Sequence, residues 1–256
     1  MSWLEKILEN KKLEILKIPE IKISESDLLN RDQDFLKNIQ AKDFSVIGEI
    51  KSKSPSEGQI IPMTDFDPVK IALNYEQAGM QAVSVLTDSL FFGGSYEILK
   101  NIADKISLPV LCKEFILDAK QIIWARKHGA HACLLIVRIL PEEKLLEFIN
   151  LCESLGMTAL VEVFTEAECK MAVRAGAKLI GINNRDLNSL EMDKNRAEKL
   201  KIFIPENIPV IALSGVKSAL EIPDLRKNFE GVLIGTALMR LKDLKDLKEF
   251  MGKLEK

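Results

Sequence analysis

The sequence predicts a (β/α)8 TIM barrel with an extra N-terminal helical extension. Eight short runs rich in Val, Ile and Leu recur along the chain, and segments with helical periodicity separate them. Because these runs show little alternation of apolar and polar residues, they are typical of parallel strands that are covered on both faces. The runs lie at residues 45–50, 82–87, 109–115, 131–137, 158–163, 178–184, 209–214 and 231–235.

The spacing of these units favours a single domain. Eight strand–helix units fit in a chain of 256 residues with no long linker between them. Several helical segments open with Asp or Pro and close with Gly, as 67–79 does, and these are helix start and stop signals. We expect residues 44–256 to form the barrel. The alternative is an open doubly wound sheet, but that fold more often has a glycine-rich turn after its first strand, and none is seen here.

Residues 1–43 form the expected extension. Trp3, Leu4, Ile7 and Leu8 recur at the spacing of an amphipathic helix, and a second short helix is expected at about 33–41. These helices would cover the lower end of the barrel or lie over its top. The lysines along the predicted helices are interpreted as solvated helix faces.

Composition narrows the possible partners and location. The 36 basic and 38 acidic residues nearly cancel, so no basic surface for nucleic acid is expected, and a monomer is possible. No apolar run reaches the roughly 18 residues of a membrane span. The N-terminus lacks the apolar stretch of a signal peptide, so we expect a cytoplasmic protein.

The four cysteines lie in apolar segments without a C-x-x-C pair and are expected to be reduced. Two histidines, His128 and His131, without clustered partners make a metal site improbable.

Polar residues occupy the carboxyl ends of the predicted strands. In a barrel these ends meet at one face, where active sites are built. The polar residues there are Glu49 and Lys51, Lys113, Glu162, Asn183 and Arg185, Ser214 and Gly215, and Gly235 and Thr236.

The two-residue period of a strand orients these side chains. Glu49 and Lys51 are two residues apart and therefore share a face. Glu162 lies between Val161 and Val163, which should face the helices, so its carboxylate should face the barrel interior. A buried carboxylate needs partners. Lys51 and Lys113 are the obvious candidates.

The last two strands end in glycine motifs that suit a phosphate group. Segments 212–218 (ALSGVKS) and 231–240 (GVLIGTALMR) each place Gly and a hydroxyl residue at the strand end, with a helix expected to follow. Backbone N–H groups there can surround an anion, and barrels frequently use this pair of loops for phosphate. Arg185, together with Ser54 or Ser56, would add donors.

These blocks together resemble the indole-3-glycerol phosphate synthase family. Segment 49–58 (EIKSKSPSEG) is similar to the family's E-x-K-x-x-S-P-S block, and 85–99 (VLTDSLFFGGSYEIL) is similar to its second-strand block. The third-strand lysine block is similar to 109–122 (PVLCKEFILDAKQI). The blocks LLIVRIL, LVEVFTEAE, IGINNRDL and VLIGTALM follow in the expected order, and the resemblance covers nearly the whole chain.

The resemblance implies a substrate and a reaction. The substrate is 1-(2-carboxyphenylamino)-1-deoxyribulose 5-phosphate, whose ring closure loses CO2 and water, and no cofactor is expected. Lys113 is the candidate general acid for ring closure. Glu162 and Lys51 are the candidates for the second proton donor and the base, in either order. Glu49 and Asn183 would orient the lysines and the sugar hydroxyls.

An apolar wall is expected beside these charges. Phe92, Phe115, Leu134 and Leu187 lie in or near the strand-end loops and could hold the anthranilate ring against the reactive carbon. Each could equally be an ordinary core residue. Phe115, two residues after Lys113, is the best candidate for ring contact.

One departure and three rival functions stay open. The family usually has Glu before the Ser-Gly of strand 7, and here Leu213 takes that place, which puts that residue's contact in doubt. The rivals are an aldolase that uses Lys113 as a Schiff-base nucleophile, a chain that binds phosphate without turnover, and a phosphoribosylanthranilate isomerase. The E-x-K-x-x-S-P-S block disfavours the last.

Overall fold

The computed structural model describes residues 2–21, 23, 34–241 and 243–253. Eight parallel strands form a closed barrel in which β1 pairs with both β2 and β8. The barrel prediction is confirmed, and the alternative of an open sheet is wrong. The strands are β1 Ser45–Ile50, β2 Ala82–Leu86, β3 Val110–Lys113, β4 Ala132–Ile136, β5 Thr158–Val163, β6 Ile180–Asn183, β7 Val210–Leu213 and β8 Gly231–Ile234.

Helices separate the strands and surround the barrel. Many begin at a side-chain cap; for example, Asp67 accepts a hydrogen bond from the backbone N–H of Lys70, with Pro68 in the first turn. The helices are α1 Trp3–Ile15, α2 Phe35–Gln40, α3 Pro68–Gln77, α4 Ser89–Phe92, α5 Tyr96–Ala103, α6 Ala119–Lys127, α7 Glu142–Ser154, α8 Glu166–Arg174, α9 Arg196–Lys201, α10 Ile222–Arg226, α11 Thr236–Met239 and α12 Leu244–Gly252.

Strand side chains alternate between two apolar clusters, as the two-residue period requires. One cluster fills the barrel interior and includes Ile47, Leu111 and Leu160. The other lies between the strands and the surrounding helices and includes Val161 and Val163, as predicted. Polar residues at interior positions of the strand ends therefore point into the top of the barrel.

The two helices of the extension lie at opposite ends of the barrel. In α1, Lys11 contacts Asp88 and Glu114, which follow β2 and β3, so this helix lies over the carboxyl ends. In α2, the Asn38 side chain donates to the carbonyl of Gln81, just before β2, at 2.6 Å, so this helix closes the amino end. Both expected placements occur. Residue 33, the expected start of the second helix, lies outside the described residues.

Two further expectations concern membranes and thiols. Among the described residues, no helix has both the length and the apolar character that crossing a bilayer requires. The cysteines Cys112, Cys133, Cys152 and Cys169 are buried and unpaired. Burial raises the pKa of the Cys169 thiol to about 12, so this side chain stays protonated.

Candidate active site

A cavity of about 560 Å³ opens at the carboxyl ends of the strands. Every residue that the sequence predicted for the site lines this cavity. These residues are Glu49, Lys51, Ser54, Phe92, Lys113, Phe115, Leu134, Glu162, Asn183, Arg185, Leu187, Ser214, Gly215, Gly235 and Thr236.

Glu49 is the centre of a buried ionic cluster. Its Oε2 lies 2.9 Å from Lys113 Nζ, and its Oε1 accepts a hydrogen bond from Lys51 Nζ. Burial by itself would raise the pKa of Glu49, but the Lys113 and Lys51 ammonium groups outweigh it and lower that pKa to about 2. Burial would lower the pKa of Lys113, yet Glu49, and then Glu162, raise it. Glu49 and Lys113 are therefore both charged at neutral pH.

Glu162 has a different environment in the same cavity. Its Oε1 accepts a hydrogen bond of 2.9 Å from Asn183 Nδ2. Burial raises the pKa of Glu162, and the nearby charge of Lys113 opposes that rise only in part. A carboxyl group with a raised pKa is suited to exchange a proton near neutral pH.

The expected partners of Glu162 need correction. Neither Lys51 nor Lys113 donates a hydrogen bond to it, because both ammonium groups bind Glu49 instead. Lys113 acts on Glu162 through its charge alone. Asn183 likewise has no hydrogen bond to a lysine among the described residues; its Oδ1 accepts the backbone N–H of Arg185 at 2.9 Å. Glu49 thus accepts hydrogen bonds from both lysines, and Asn183 donates one to Glu162.

The predicted phosphate end is formed by the loops after β7 and β8. Ser214 and Gly215 have φ angles of 65° and 98°, in the left-handed region that favours glycine. A helix follows this loop as expected: a 3-10 helix at Ala219–Glu221 leads directly into α10. Gly235 precedes α11 directly, and a Cβ atom added there would lie 2.2 Å from Glu49 Oε1. Glycine at this position therefore lets the ionic cluster and the loop approach each other closely.

Other predicted phosphate donors lie around the same end. Arg185 donates from its guanidinium to the carbonyl of Leu190 at 3.0 Å, which fixes the arginine within the loop after β6. Ser54 accepts the backbone N–H of Glu57 at 3.2 Å and lies 3.4 Å from the Ser56 hydroxyl. The two serines belong to a short hairpin after β1.

An apolar wall faces the charges. The rings of Phe92 and Phe115 pack with their centroids 6.1 Å apart at an interplanar angle of 33°. Leu134 and Leu187 line the same cavity. This wall and the ionic cluster together give one end of the cavity an apolar side and a charged side, which suits an aromatic acid.

The cavity is also lined by residues that the sequence did not identify, among them Ile7, Lys217 and Arg240. Ile7 belongs to α1, and its only sequence signal is a place in an amphipathic pattern. Lys217 and Arg240 lie within the two glycine-motif segments, 212–218 and 231–240, and that position could have identified them. Arg240 also pairs with Glu57 of the hairpin at 2.8 Å.

Leu213 lies in the barrel interior, where it is 1% exposed. It is in register with Asn183 on the neighbouring strand, and its Cδ1 would lie 2.6 Å from a Cβ atom added at Gly181. The leucine therefore packs over β6 and provides no hydrogen bond. It does not replace the polar contact that glutamate would make there.

Comparison with known proteins identifies the family. The sequence model of indole-3-glycerol phosphate synthase matches residues 4–250. The indole-3-glycerol phosphate synthase of Leptospira interrogans is 43% identical over 242 residues, which cover 94% of each chain. That of Lacticaseibacillus paracasei is 43% identical over 212 residues, 82% of this chain and 81% of the relative.

Solved structures support the architecture. The tryptophan synthase alpha subunit of Legionella pneumophila superimposes with a TM-score of 0.62, at 12% identity, over 87% of this chain and 97% of that one. A 3-hexulose-6-phosphate synthase gives the same TM-score and identity over 82% and 97%. At this identity the likeness concerns the fold alone. On the strength of the sequence matches, this chain belongs to the indole-3-glycerol phosphate synthase family.

Proposed function

We propose that this chain converts 1-(2-carboxyphenylamino)-1-deoxyribulose 5-phosphate into indole-3-glycerol phosphate, with loss of CO2 and water. The observation that carries the proposal is the arrangement of the cavity. Lys113, held by Glu49, and Glu162, held by Asn183, lie in the same cavity as an apolar wall and two glycine loops. Membership of the family supports the same reaction.

Ring closure requires an acid at the ketone oxygen. The ring carbon that carries the carboxylate attacks the ketone carbon, and the ketone oxygen takes a proton as the new bond forms. Lys113 suits this role because Glu49 and Glu162 raise its pKa and keep it charged. Loss of CO2 then returns the bonding electron pair to the ring.

Dehydration requires a second proton donor and a base. The new hydroxyl group leaves as water after it is protonated, and the base removes a proton from the neighbouring carbon of the five-membered ring. Glu162, whose pKa is raised by burial, and Lys51 are the two candidates. Either could donate and the other accept. Lys51 also lies where it could attract the substrate carboxylate.

The remaining contacts would position the substrate. Phe92, Phe115, Leu134 and Leu187 would hold the anthranilate ring, with Phe115 as the main contact. The phosphate would bind at the loops after β7 and β8, with Arg185 and Ser54 nearby. Ser214, Gly215, Gly235 and Thr236 would supply backbone and hydroxyl donors there.

The proposal is tested by adding the substrate to the purified protein and following indole fluorescence and CO2 release. We expect both to rise together. CO2 release without indole formation, or neither signal, would contradict the proposal. Borohydride added during turnover distinguishes the aldolase alternative, because it would fix a Schiff base on Lys113 covalently. We expect no trapped adduct.

We further propose that residues 1–256 form one domain, a monomer located in the cytoplasm. The extension shares the apolar cluster of the barrel interior, since Phe35 and Ile39 pack with Ile47. Four buried thiols without a disulfide suit a reducing compartment. Light scattering of the purified protein tests the monomer, and a dimer mass would contradict it.

A further inference from the structure

A lysine of α1 is buried among carboxylates beside the candidate active site. The Lys11 side chain is 2% exposed, and its Nζ lies 2.8 Å from Glu114 Oε1 and 3.0 Å from Asp88 Oδ2. Glu14, one turn further along α1, also pairs with it. The sequence suggested solvated faces for such lysines, and for Lys11 that interpretation is wrong. Burying charges is costly even when they are paired, so this cluster needs an explanation other than stability alone.

One of its carboxylates lies within the segment that carries the proposed acid. Glu114 directly follows Lys113 and directly precedes Phe115. Its Oε1 also accepts the backbone N–H of Phe115 at 2.7 Å, and its Oε2 accepts the Thr87 hydroxyl at 2.8 Å. The carboxylate therefore fixes the backbone at Phe115 relative to Thr87, which follows β2.

The other carboxylate fixes the second aromatic residue of the apolar wall. Asp88 caps α4 by accepting the backbone N–H of Phe91 at 2.7 Å. The helix that it caps ends at Phe92, whose ring packs against Phe115. One ammonium group thus connects the two chain segments that carry the wall. It also fixes α1, which contributes Ile7 to the same cavity.

We propose that Lys11 is a positioning residue of the active site. Its ammonium group sets the relative placement of Phe92 and Phe115 through Asp88 and Glu114, and it docks Ile7 against the ring end of the cavity. The inference rests on the proposed function, since the wall would bind the aromatic ring of the substrate. Binding of that ring, more than the rate of chemistry, should therefore depend on Lys11.

The experiment compares kcat and KM for substrate turnover in the full-length protein and its variants. Lys11→Met removes the charge, Lys11→Arg retains it, and Asp88→Asn removes one partner while it keeps an acceptor for the Phe91 N–H. The control is Asn38→Ala, which removes the hydrogen bond from α2 to the carbonyl of Gln81. This bond lies at the amino end of the barrel, opposite the cavity. Circular dichroism first identifies a temperature at which the variants that are compared remain folded.

We expect Lys11→Met and Asp88→Asn to raise KM by about tenfold or more with a smaller change in kcat, as misplaced binding groups should. Lys11→Arg should recover part of that loss, and Asn38→Ala should leave KM within about twofold of wild type. A purely structural role would lower stability in Lys11→Met and Asn38→Ala alike and leave both KM values unchanged.

If KM of Lys11→Met stays within about twofold of wild type, Lys11 does not position the site. If Lys11→Met does not fold, the same criterion applies to Asp88→Asn. A wild-type protein that fails to turn over the substrate contradicts the proposed function instead. In that case isothermal titration measures substrate binding by the same variants directly. A Kd of Lys11→Met within about twofold of wild type would then show that Lys11 does not position the site.

Discussion

Lys113 Nζ lies 2.9 Å from Glu49 Oε2, so the proposed acid on β3 is held by a carboxylate of β1 and not by Glu162. This pairing divides the cavity into two parts. Glu49 pairs with both lysines, whereas Glu162 has a raised pKa and an amide partner.

Glu162→Gln should abolish turnover and stabilise the protein at neutral pH. Burial raises the pKa of Glu162 above its unfolded value, so the folded state is destabilised when this carboxyl group is ionised. The Tm difference between Glu162→Gln and wild type should grow as the pH rises through the pKa that Glu162 has in the folded state. The difference should vanish below the pKa that Glu162 has in the unfolded state. Calorimetry at several pH values checks this. The exposed Glu147→Gln is the control, and a lower Tm of Glu162→Gln at neutral pH would refute the expectation.

Gly235→Ala should lose activity. The added Cβ would meet Glu49 Oε1 at 2.2 Å and Lys51 Nζ at 2.9 Å, so the ionic pair must move. Its φ of −112° is negative, but with a ψ of −88° the residue lies outside the α and β regions, so alanine adds backbone strain to this displacement. We expect kcat/KM to fall by about tenfold or more. Gly252→Ala, with no atom within 4 Å of the new Cβ, is the matched control. Equal activity of the two variants would count against this geometry.

Arg185→Ala should mainly raise KM. The phosphate does not react, so its contacts act equally on substrate and transition state. Steady-state kinetics over a range of substrate concentrations separates the two parameters. The control is Arg174→Ala, which removes an exposed arginine that pairs with Glu142 on the outer face. This variant should leave both kcat and KM unchanged. A fall in kcat at constant KM would show that Arg185 does not act by binding the phosphate.

Much of the fold and of the site follows from the sequence. Strands covered on both faces have continuous apolar runs, so polar residues such as Glu49 and Asn183 mark the strand ends that meet at one face. Period-two alternation correctly placed Val161 and Val163 toward the helices and Glu162 toward the interior. All of these are local properties of single strands.

The errors concern contacts between distant segments. The partner of Glu162 depends on how β5 and β6 are placed in the closed barrel, and strand pairing there sets Asn183 beside it. Lys11 occupies an ordinary position of an amphipathic helix, and nothing near it in the sequence indicates that Asp88 and Glu114 will meet it. Such contacts appear only when the segments have been brought together.

The most direct test of the account is the turnover of Lys113→Met at saturating substrate. The substitution keeps the length and apolar character of the stem but removes the ammonium group. Loss of a general acid should lower kcat by about two orders of magnitude or more, with substrate binding still detectable by titration. A variant that forms indole-3-glycerol phosphate at the wild-type rate would remove Lys113 from the acid role and contradict the mechanism proposed for this cavity.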